Sequence, residues 1–417
     1  MYGLLDCNNF FVSCERAFNL SLRGKAIGVL SNNDGCIVAR SNELKALGIK
    51  MGTPMYQIKN LIDRGDVKVL SSNYTLYGDM SARVMRVLGE NVPSLEIYSI
   101  DEAFFKVGAL EDREKFVRDV ARKVSKSTGI PVSVGVAETK TLAKIANHFA
   151  KKYKRYNQVC FMDTPEKREK ALKLTPIGDV WGIGRKTLEK MKFEGIFTAY
   201  DFVQRDRAWV RKNFMLGGEK TWRELQGEVC VDMDNIEGKK QICTSRSFGE
   251  MIEDLDTMSQ AVSSFASDCA YKLRCQKTCA HAVSVFIYTN RFRTDLPQYM
   301  QSKVITFPVA TSDTIEIVNA SLQALKKIFI GGFKYKKAGV VVMDVVPESA
   351  VQQNLFDAKN RKKSEKLMQM VDKINNEYHS GVVKLAVQGF VGEWLLKREN
   401  LSPNYTTKLA DIIKVKI

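Results

Sequence analysis

Asp101 and Glu102 stand side by side in the apolar run Ile97-Tyr98-Ser99-Ile100-Asp101-Glu102-Ala103-Phe104-Phe105, and a third acid, Asp6, closes the apolar opening Tyr2-Gly3-Leu4-Leu5. An unpaired charge buried in such a strand costs several kcal/mol. Neighbouring strand residues also point to opposite faces, so an adjacent Asp-Glu pair cannot bury both heads. The pair makes sense where a strand ends or bends and both carboxylates can reach a cation. Hard divalent ions such as magnesium take oxygen ligands, few of them from protein and the rest from phosphate and water. Three acids on two strands could therefore build a two-metal site for phosphoryl or nucleotidyl transfer. The dipeptide alone is a weak signal, and the rest of the chain has to decide.

The chain has 417 residues, 45% of them hydrophobic and 27% charged, enough for two to four domains with real cores. Its formal charge of +17 and pI near 9.3 favour a polyanionic partner, of which nucleic acid is the commonest, although solvated charged faces would give the same balance. Nine cysteines without a CxxC pair read as reduced thiols in a cytoplasmic protein, and Cys269, Cys275 and Cys279 fit a helix followed by a strand better than a zinc knuckle. Only His148, His281 and His379 are present, which disfavours a histidine-based metal site. No uninterrupted apolar span is long enough for a bilayer; the longest candidate, Ala338-Gly339-Val340-Val341-Val342-Met343, stops at Asp344 and reads as a buried strand.

The acids need elements to hold them. Strands are expected at 2–5, 26–30, 36–40, 97–105 and 132–136, with helices starting near Phe10 and at 42–47, 83–88, 111–126 and 142–153. Asn32-Asn33-Asp34-Gly35 is a turn, Ser41 can cap the helix after it, and Gly48 can end that helix. Arg40 and Lys45 then flank a helix N-terminus, a place suited to phosphates, though ordinary surface charge fits them equally. The alternation over 1–160 predicts one α/β or α+β domain with a central sheet. Past Pro176 the pattern changes: Val180-Trp181-Gly182-Ile183-Gly184-Arg185-Lys186 reads as a helix-hairpin-helix, whose glycines let backbone N–H groups approach a phosphate without reading sequence. After a Lys-rich linker at 237–240, strands near 245–248, 282–288, 303–307 and 338–346 and helices near 258–274 and 315–328 predict a separate small α+β domain. It offers Arg246, Arg291, Arg293 and Lys334 to a nucleic-acid backbone. In the polar stretch that follows, the apolar pair Leu355-Phe356 suits docking into a groove. Leu367, Val371, Ile374 and Tyr378 form a helical stripe read as packing.

Taken together these residues resemble the Y-family translesion DNA polymerases, most closely the UmuC-type catalytic subunit of bacterial polymerase V. The resemblance rests on Asp6-Cys7-Asn8-Asn9-Phe10-Phe11-Val12-Ser13-Cys14-Glu15, Ser31-Asn32-Asn33-Asp34-Gly35-Cys36, Ser71-Ser72-Asn73-Tyr74 and Tyr98-Ser99-Ile100-Asp101-Glu102-Ala103-Phe104. It continues through Thr139-Lys140-Thr141-Leu142-Ala143-Lys144, Val180-Trp181-Gly182-Ile183-Gly184-Arg185 and, near the C-terminus, Ser402-Pro403-Asn404-Tyr405-Thr406-Thr407.

The resemblance implies an α+β multidomain right hand. Palm and fingers would fill 1–165, with the fingers at about 25–75. A helix-hairpin-helix thumb would follow at 166–236 and a little finger at 241–347, with 348–417 as a clamp-binding linker and C-terminal extension. It implies that Asp6, Asp101 and Glu102 hold two magnesium ions with the Cys7 carbonyl, that Phe11 is the aromatic gate against a ribose 2′-hydroxyl with Phe10 behind it, and that Lys151 binds the triphosphate. Several other Y-family branches carry Tyr and Arg on the fingers helix where this chain has Asn42 and Lys45, so the fingers-side grip is left open. Gln352-Gln353-Asn354-Leu355-Phe356 looks like a sliding-clamp peptide, Gln-x-x-Leu-Phe. Primer-template DNA, deoxynucleoside triphosphates, a sliding clamp, a cleaved UmuD-like dimer and a recombinase filament are the implied partners, with error-prone translesion synthesis under the SOS response as the implied activity. A catalytically inactive DNA-binding regulatory paralogue and a palm-like nucleotidyl cyclase are the alternatives.

Overall fold

Tyr2–Cys7 is buried at every position, as its unbroken apolar run requires. The structure is a computed structural model that describes residues 1–108, 112–233, 238–357, 359–378, 381–390, 394 and 396–413. Among these lie twelve strands: β1 (Tyr2–Cys7), β2 (Ala26–Leu30), β3 (Ile37–Arg40), β4 (Val67–Ser71), β5 (Leu95–Ile97), β6 (Glu102–Lys106), β7 (Val132–Ala137), β8 (Val159–Met162), β9 (Ile242–Ile252), β10 (Thr278–Thr289), β11 (Met300–Thr311) and β12 (Tyr335–Pro347). They form three sheets, ordered β5-β6-β1-β7-β8, β3-β2-β4 and β11-β10-β12-β9. The chain divides into two compact units, Met1–Asn235 with Glu399–Ile417, and Ile236–Arg398.

The single sheet expected over 1–160 is in fact two. β2 pairs in parallel with β4 and antiparallel with β3, closing a small sheet over Leu30, Ile37, Leu44, Ile49, Ile58 and Val67. β4 carries alternating Lys68 among apolar residues and was hidden in a polar stretch. The strand expected at 97–105 is also broken. β5 and β6 are joined by a tight turn in which Tyr98 N and Ser99 N both donate to Glu102 O, and Ser99 Oγ accepts from the Asp101 and Glu102 amides. That turn leaves Asp101 at the strand end and Glu102 as its first residue.

The helix Lys140–Lys152 lies across β7 and β1. It can approach closely because β7 offers Gly135, where a Cβ would stand 2.1 Å from Asn147 N and 2.3 Å from Ala143 O. The helices Pro165–Leu174, Arg185–Phe193, Ala199–Val203 and Arg207–Leu225 complete the first unit around a core shared with that helix, including Leu142, Ile145, Phe149, Leu172, Met191 and Phe202.

In the second unit the helices Leu255–Cys275 and Thr314–Ile328 cover one face of the β11-β10-β12-β9 sheet, burying Phe265, Val283, Val285, Val340 and Val342. The helix Arg361–Glu377 packs along only part of its expected stripe. Met368 is its buried residue, Arg274 clasps Asp372 at 2.6 Å, and Leu367 and Tyr378 are exposed. Val371 and Ile374 of the stripe are half-buried, and the Arg274–Asp372 ion pair adds a polar fastening beside them.

Candidate active site

Antiparallel pairing decides the site. β1 runs against β6 in a register that sets Asp6 opposite Glu102, and cross-strand partners share a face of the sheet. Cys7 N donates to Asp101 O at 2.9 Å, which brings the third acid to the same strand end. Ser99 Oγ donates to Asp101 Oδ1 at 2.7 Å and orients that carboxylate. Asp6 is buried, and burial raises its pKa to about 6; the Lys151 ammonium pulls the other way, while the charges of Glu102 and Asp101 push further up. The Cys7 thiol is buried beside Asp6 and held far above the thiolate range, so it is chemically silent.

Side chains at 4-3-4 spacing on the helix Lys140–Lys152, the repeat of one helix face, reach acids and carbonyls of the sheet. Lys140 Nζ meets Glu96 Oε2 at 2.5 Å, Lys144 Nζ meets Glu102 Oε2 at 2.9 Å, and Lys151 Nζ meets Asp6 Oδ2 at 2.5 Å. Between them Asn147 Nδ2 donates to Leu4 O and Ser133 O, at 3.2 and 2.8 Å, tying the helix to β1 and β7. Among the described residues no group of three or more His, Cys, Asp or Glu side chains is set close enough to hold a metal ion, and Asp6 and Glu102 are each paired with a lysine. Lys144 also sits over the Tyr98 ring at 4.6 Å, and Tyr98 OH accepts from Trp181 Nε1 at 3.0 Å. Lys144 was legible as part of a motif, and only the 4-3-4 spacing with Lys151 would have given it a role.

Beside the acids opens a cleft of about 500 Å3 lined by Asn9, Asn42, Lys45, Lys151, Lys154 and Gln158 among others. Lys45 Nζ donates to Asn9 Oδ1 at 2.6 Å, and Asn9 Nδ2 donates to Asn42 Oδ1 at 3.0 Å. Desolvation lowers the Lys45 pKa and nearby Arg40 and Lys151 lower it further, against a smaller opposing pull from Asp6. Arg40 Nη1 is spent on Ile49 O at 2.7 Å, so Lys45 rather than Arg40 lines the cleft. Lys154 belongs with them and was recognisable only as one of a basic run. Phe10 is buried in the core, whereas Phe11 is partly exposed and stacks on Tyr77 at 4.4 Å and 14°.

None of the other residues singled out in the sequence is among those lining this cleft. Gly182 takes a φ of 91°, which a side chain would resist, and Gly184 precedes the helix Arg185–Phe193, whose first N–H groups have no side-chain cap. Arg185 is exposed and pairs with Glu189, and Lys186 is exposed. In the second unit Arg291 and Arg293 are exposed in the loop after β10, with Arg293 clasped by Asp295 at 2.6 Å, and Lys334 pairs with Glu253 at 3.0 Å. Arg246 pairs across β9–β12 with Ala338, placing it on the helix-covered side, where its charge acts on Asp268. Gln352 lies in an irregular stretch, and Leu355 and Phe356, 94% and 89% exposed, form a turn closed by Asp357 N donating to Asn354 O at 3.0 Å. Just beyond it, Lys359 reaches Asp313 at 2.8 Å and Arg361 reaches Asp357 at 2.5 Å, anchoring the base of the segment.

Two models of one family match this chain, the impB/mucB/samB family over residues 5–148 and its C-terminal domain over residues 239–355. Protein UmuC of Salmonella typhimurium is 42% identical over 100% of both chains, and protein ImpB of Salmonella typhimurium is 42% identical over 99% of both. The chain belongs to the impB/mucB/samB family. A solved Y-family DNA polymerase chimera of Dbh and Dpo4 shares the fold at a TM-score of 0.65 and 19% identity, over 83% of this chain and 99% of that one. The right-hand polymerase architecture is therefore the fold of this family member. The first family segment contains the three acids, Phe11 and Lys45, while Lys151 lies three residues past its end. A domain of unknown function matches residues 365–415.

Proposed function

We infer that this impB/mucB/samB-family chain is a DNA-directed DNA polymerase that performs error-prone translesion synthesis in the SOS response. The observation that carries the reading is the register of β1 on β6, which gathers Asp6, Asp101 and Glu102 at one strand end beside a cleft lined by Lys45, Lys151 and Lys154. The donor set suits hard cations, because Asp6, Asp101 and Glu102 supply carboxylate oxygens, and burial together with the charges of Glu102 and Asp101 makes the Asp6 carboxylate costly without a cation beside it. Two divalent ions bound there, with the Cys7 carbonyl as a further ligand, would acidify a primer 3′-hydroxyl and neutralise the triphosphate. Lys151 and Lys144, now paired with Asp6 and Glu102, would exchange those carboxylates for phosphate when nucleotide and metal enter. Lys45 and Asn42 would take the fingers side, lysine supplying charge without the bidentate fork of arginine. Phe11 would select the sugar.

Under this reading palm and fingers span 1–165, the thumb 166–236 and the little finger 241–347. Gly182, Gly184, Arg185 and Lys186 would hold primer-template DNA by its phosphates, with Arg291 from the second unit. Gln352, Leu355 and Phe356 would engage a sliding clamp, and a cleaved UmuD-like dimer and a recombinase filament would be further partners. An inactive DNA-binding paralogue is the second reading, and the presence of all three acids argues against it. Asp101→Ala and Glu102→Ala should each reduce magnesium-dependent primer extension by at least about 100-fold while leaving primer-template affinity within about twofold. Full extension by either variant would end the two-metal assignment.

A further inference from the structure

The stretch 399–413 returns to the first unit and is fastened there by several elements. Ser71 N donates to Asn400 O and Asn400 N donates to Ser71 Oγ, both at 2.9 Å. Asp34 Oδ2 accepts from Glu399 N at 2.9 Å and from Ser71 Oγ at 2.8 Å. The Asn73 side chain caps the helix Tyr74–Gly89 with its oxygen and donates through Nδ2 to Ser402 O, Ser402 Oγ and Pro403 O, at 3.0, 3.1 and 3.3 Å. Tyr405 stacks on Phe18 at 5.0 Å and 10°.

One of these contacts leads inward. Ser402 Oγ donates at 2.9 Å to Glu15 Oε1, on a residue only 1% exposed, and the same oxygen accepts from Tyr77 OH at 2.7 Å. Tyr77 is fully buried, and its ring is the one stacked on Phe11. Phe11 and Glu15 are four residues apart on the helix Phe10–Phe18, so one face of that helix grips Tyr77 by both ring and hydroxyl. A buried carboxylate with too few donors is costly and moves to find others. Ser402 supplies one of its two side-chain donors from 387 residues downstream.

We propose that the C-terminal segment is a positioning element of the nucleotide site: Ser402, acting through Glu15 and Tyr77, sets the ring of Phe11 and so the preference for deoxy- over ribonucleotides. The inference rests on the polymerase reading and gives a task to part of the region matched as a domain of unknown function. A gate that excludes a single hydroxyl tolerates little displacement, since misplacement by about 1 Å can cost about 100-fold.

The test is single-nucleotide insertion by the full-length chain with dNTP and rNTP. Ser402→Ala should lower the ratio of kcat/KM for dNTP over rNTP by about tenfold, the scale of one lost charge-assisted hydrogen bond, with kcat for dNTP within about twofold. Ser402→Thr, which keeps the hydroxyl, should restore the ratio. In a Phe11→Ala background Ser402→Ala should change the ratio no further, because the gate it sets is gone. Thermal unfolding of each variant establishes that it is folded. An unchanged ratio in a folded Ser402→Ala protein overturns the proposal, as does an equal loss with both sugars, which marks a structural role alone. Failure of the unaltered chain to extend a primer overturns the polymerase reading and this inference with it.

Discussion

Lys151 shows how one side chain can serve two states. Paired with Asp6 at 2.5 Å, it steadies an acid that burial would otherwise neutralise. It also lines the basic cleft, where a triphosphate would compete for it. Lys151→Ala is therefore expected to raise KM for the incoming nucleotide by roughly 10- to 100-fold, the range of a charge-assisted hydrogen bond, with primer-template affinity unchanged. Steady-state insertion kinetics alongside DNA-binding isotherms check this, and a loss confined to DNA affinity would contradict it. Asp101 and Glu102 stood out in the sequence because charges are rare in apolar runs. The pairing of Lys144 with Glu102 did not stand out, because a lysine on an amphipathic helix carries no mark of its partner.

At the scale of elements, the helix Lys140–Lys152 is the lever that places three lysines and Asn147 over the sheet. Its distance from β7 depends on Gly135, where even a methyl group would meet backbone atoms at 2.1 and 2.3 Å. Backbone cannot swing aside as a side-chain tip can, so Gly135→Ala should force the helix off the sheet. Overpacking of this kind costs about 1–3 kcal/mol or more, and the urea midpoint of the protein should fall accordingly. Nucleotide insertion should fall with it, since Lys144 and Lys151 ride on the displaced helix. A variant of native stability with full insertion would show that the helix finds room. The helix itself was legible from its apolar period, and its Thr139 cap is an ordinary signal. The Asp101-Glu102 pair signalled that the strand ends or bends there, but not how: the turn is closed by Tyr98 N and Ser99 N on Glu102 O and by the Ser99 hydroxyl on the Asp101 and Glu102 amides.

For the whole molecule, the chain leaves its first unit, builds a second, and returns to the first through Glu399–Ile417. The second unit carries the exposed pair Leu355-Phe356 on a segment whose following residues, Lys359 and Arg361, are anchored by acids. Replacing Leu355 and Phe356 together by alanine should remove the increment that a sliding clamp adds to synthesis, by about tenfold or more if the pair is an interface anchor. Extension without the clamp should persist, and primer extension with and without clamp measures both; equal loss in the two assays would point to folding instead. The local periods, the acids, the hairpin glycines and the family motifs could all be read from the chain before folding, because each is written in neighbouring residues. What Glu102 meets, a cross-strand Asp6 and Lys144 from the neighbouring helix, came only with the folded chain. The folded chain also showed why Ser71, Asn73, Glu15 and Ser402 belong to one chain of contacts. Hydrogen bonds between residues more than 300 positions apart leave no period in a sequence, and the fold alone brings them within 3 Å.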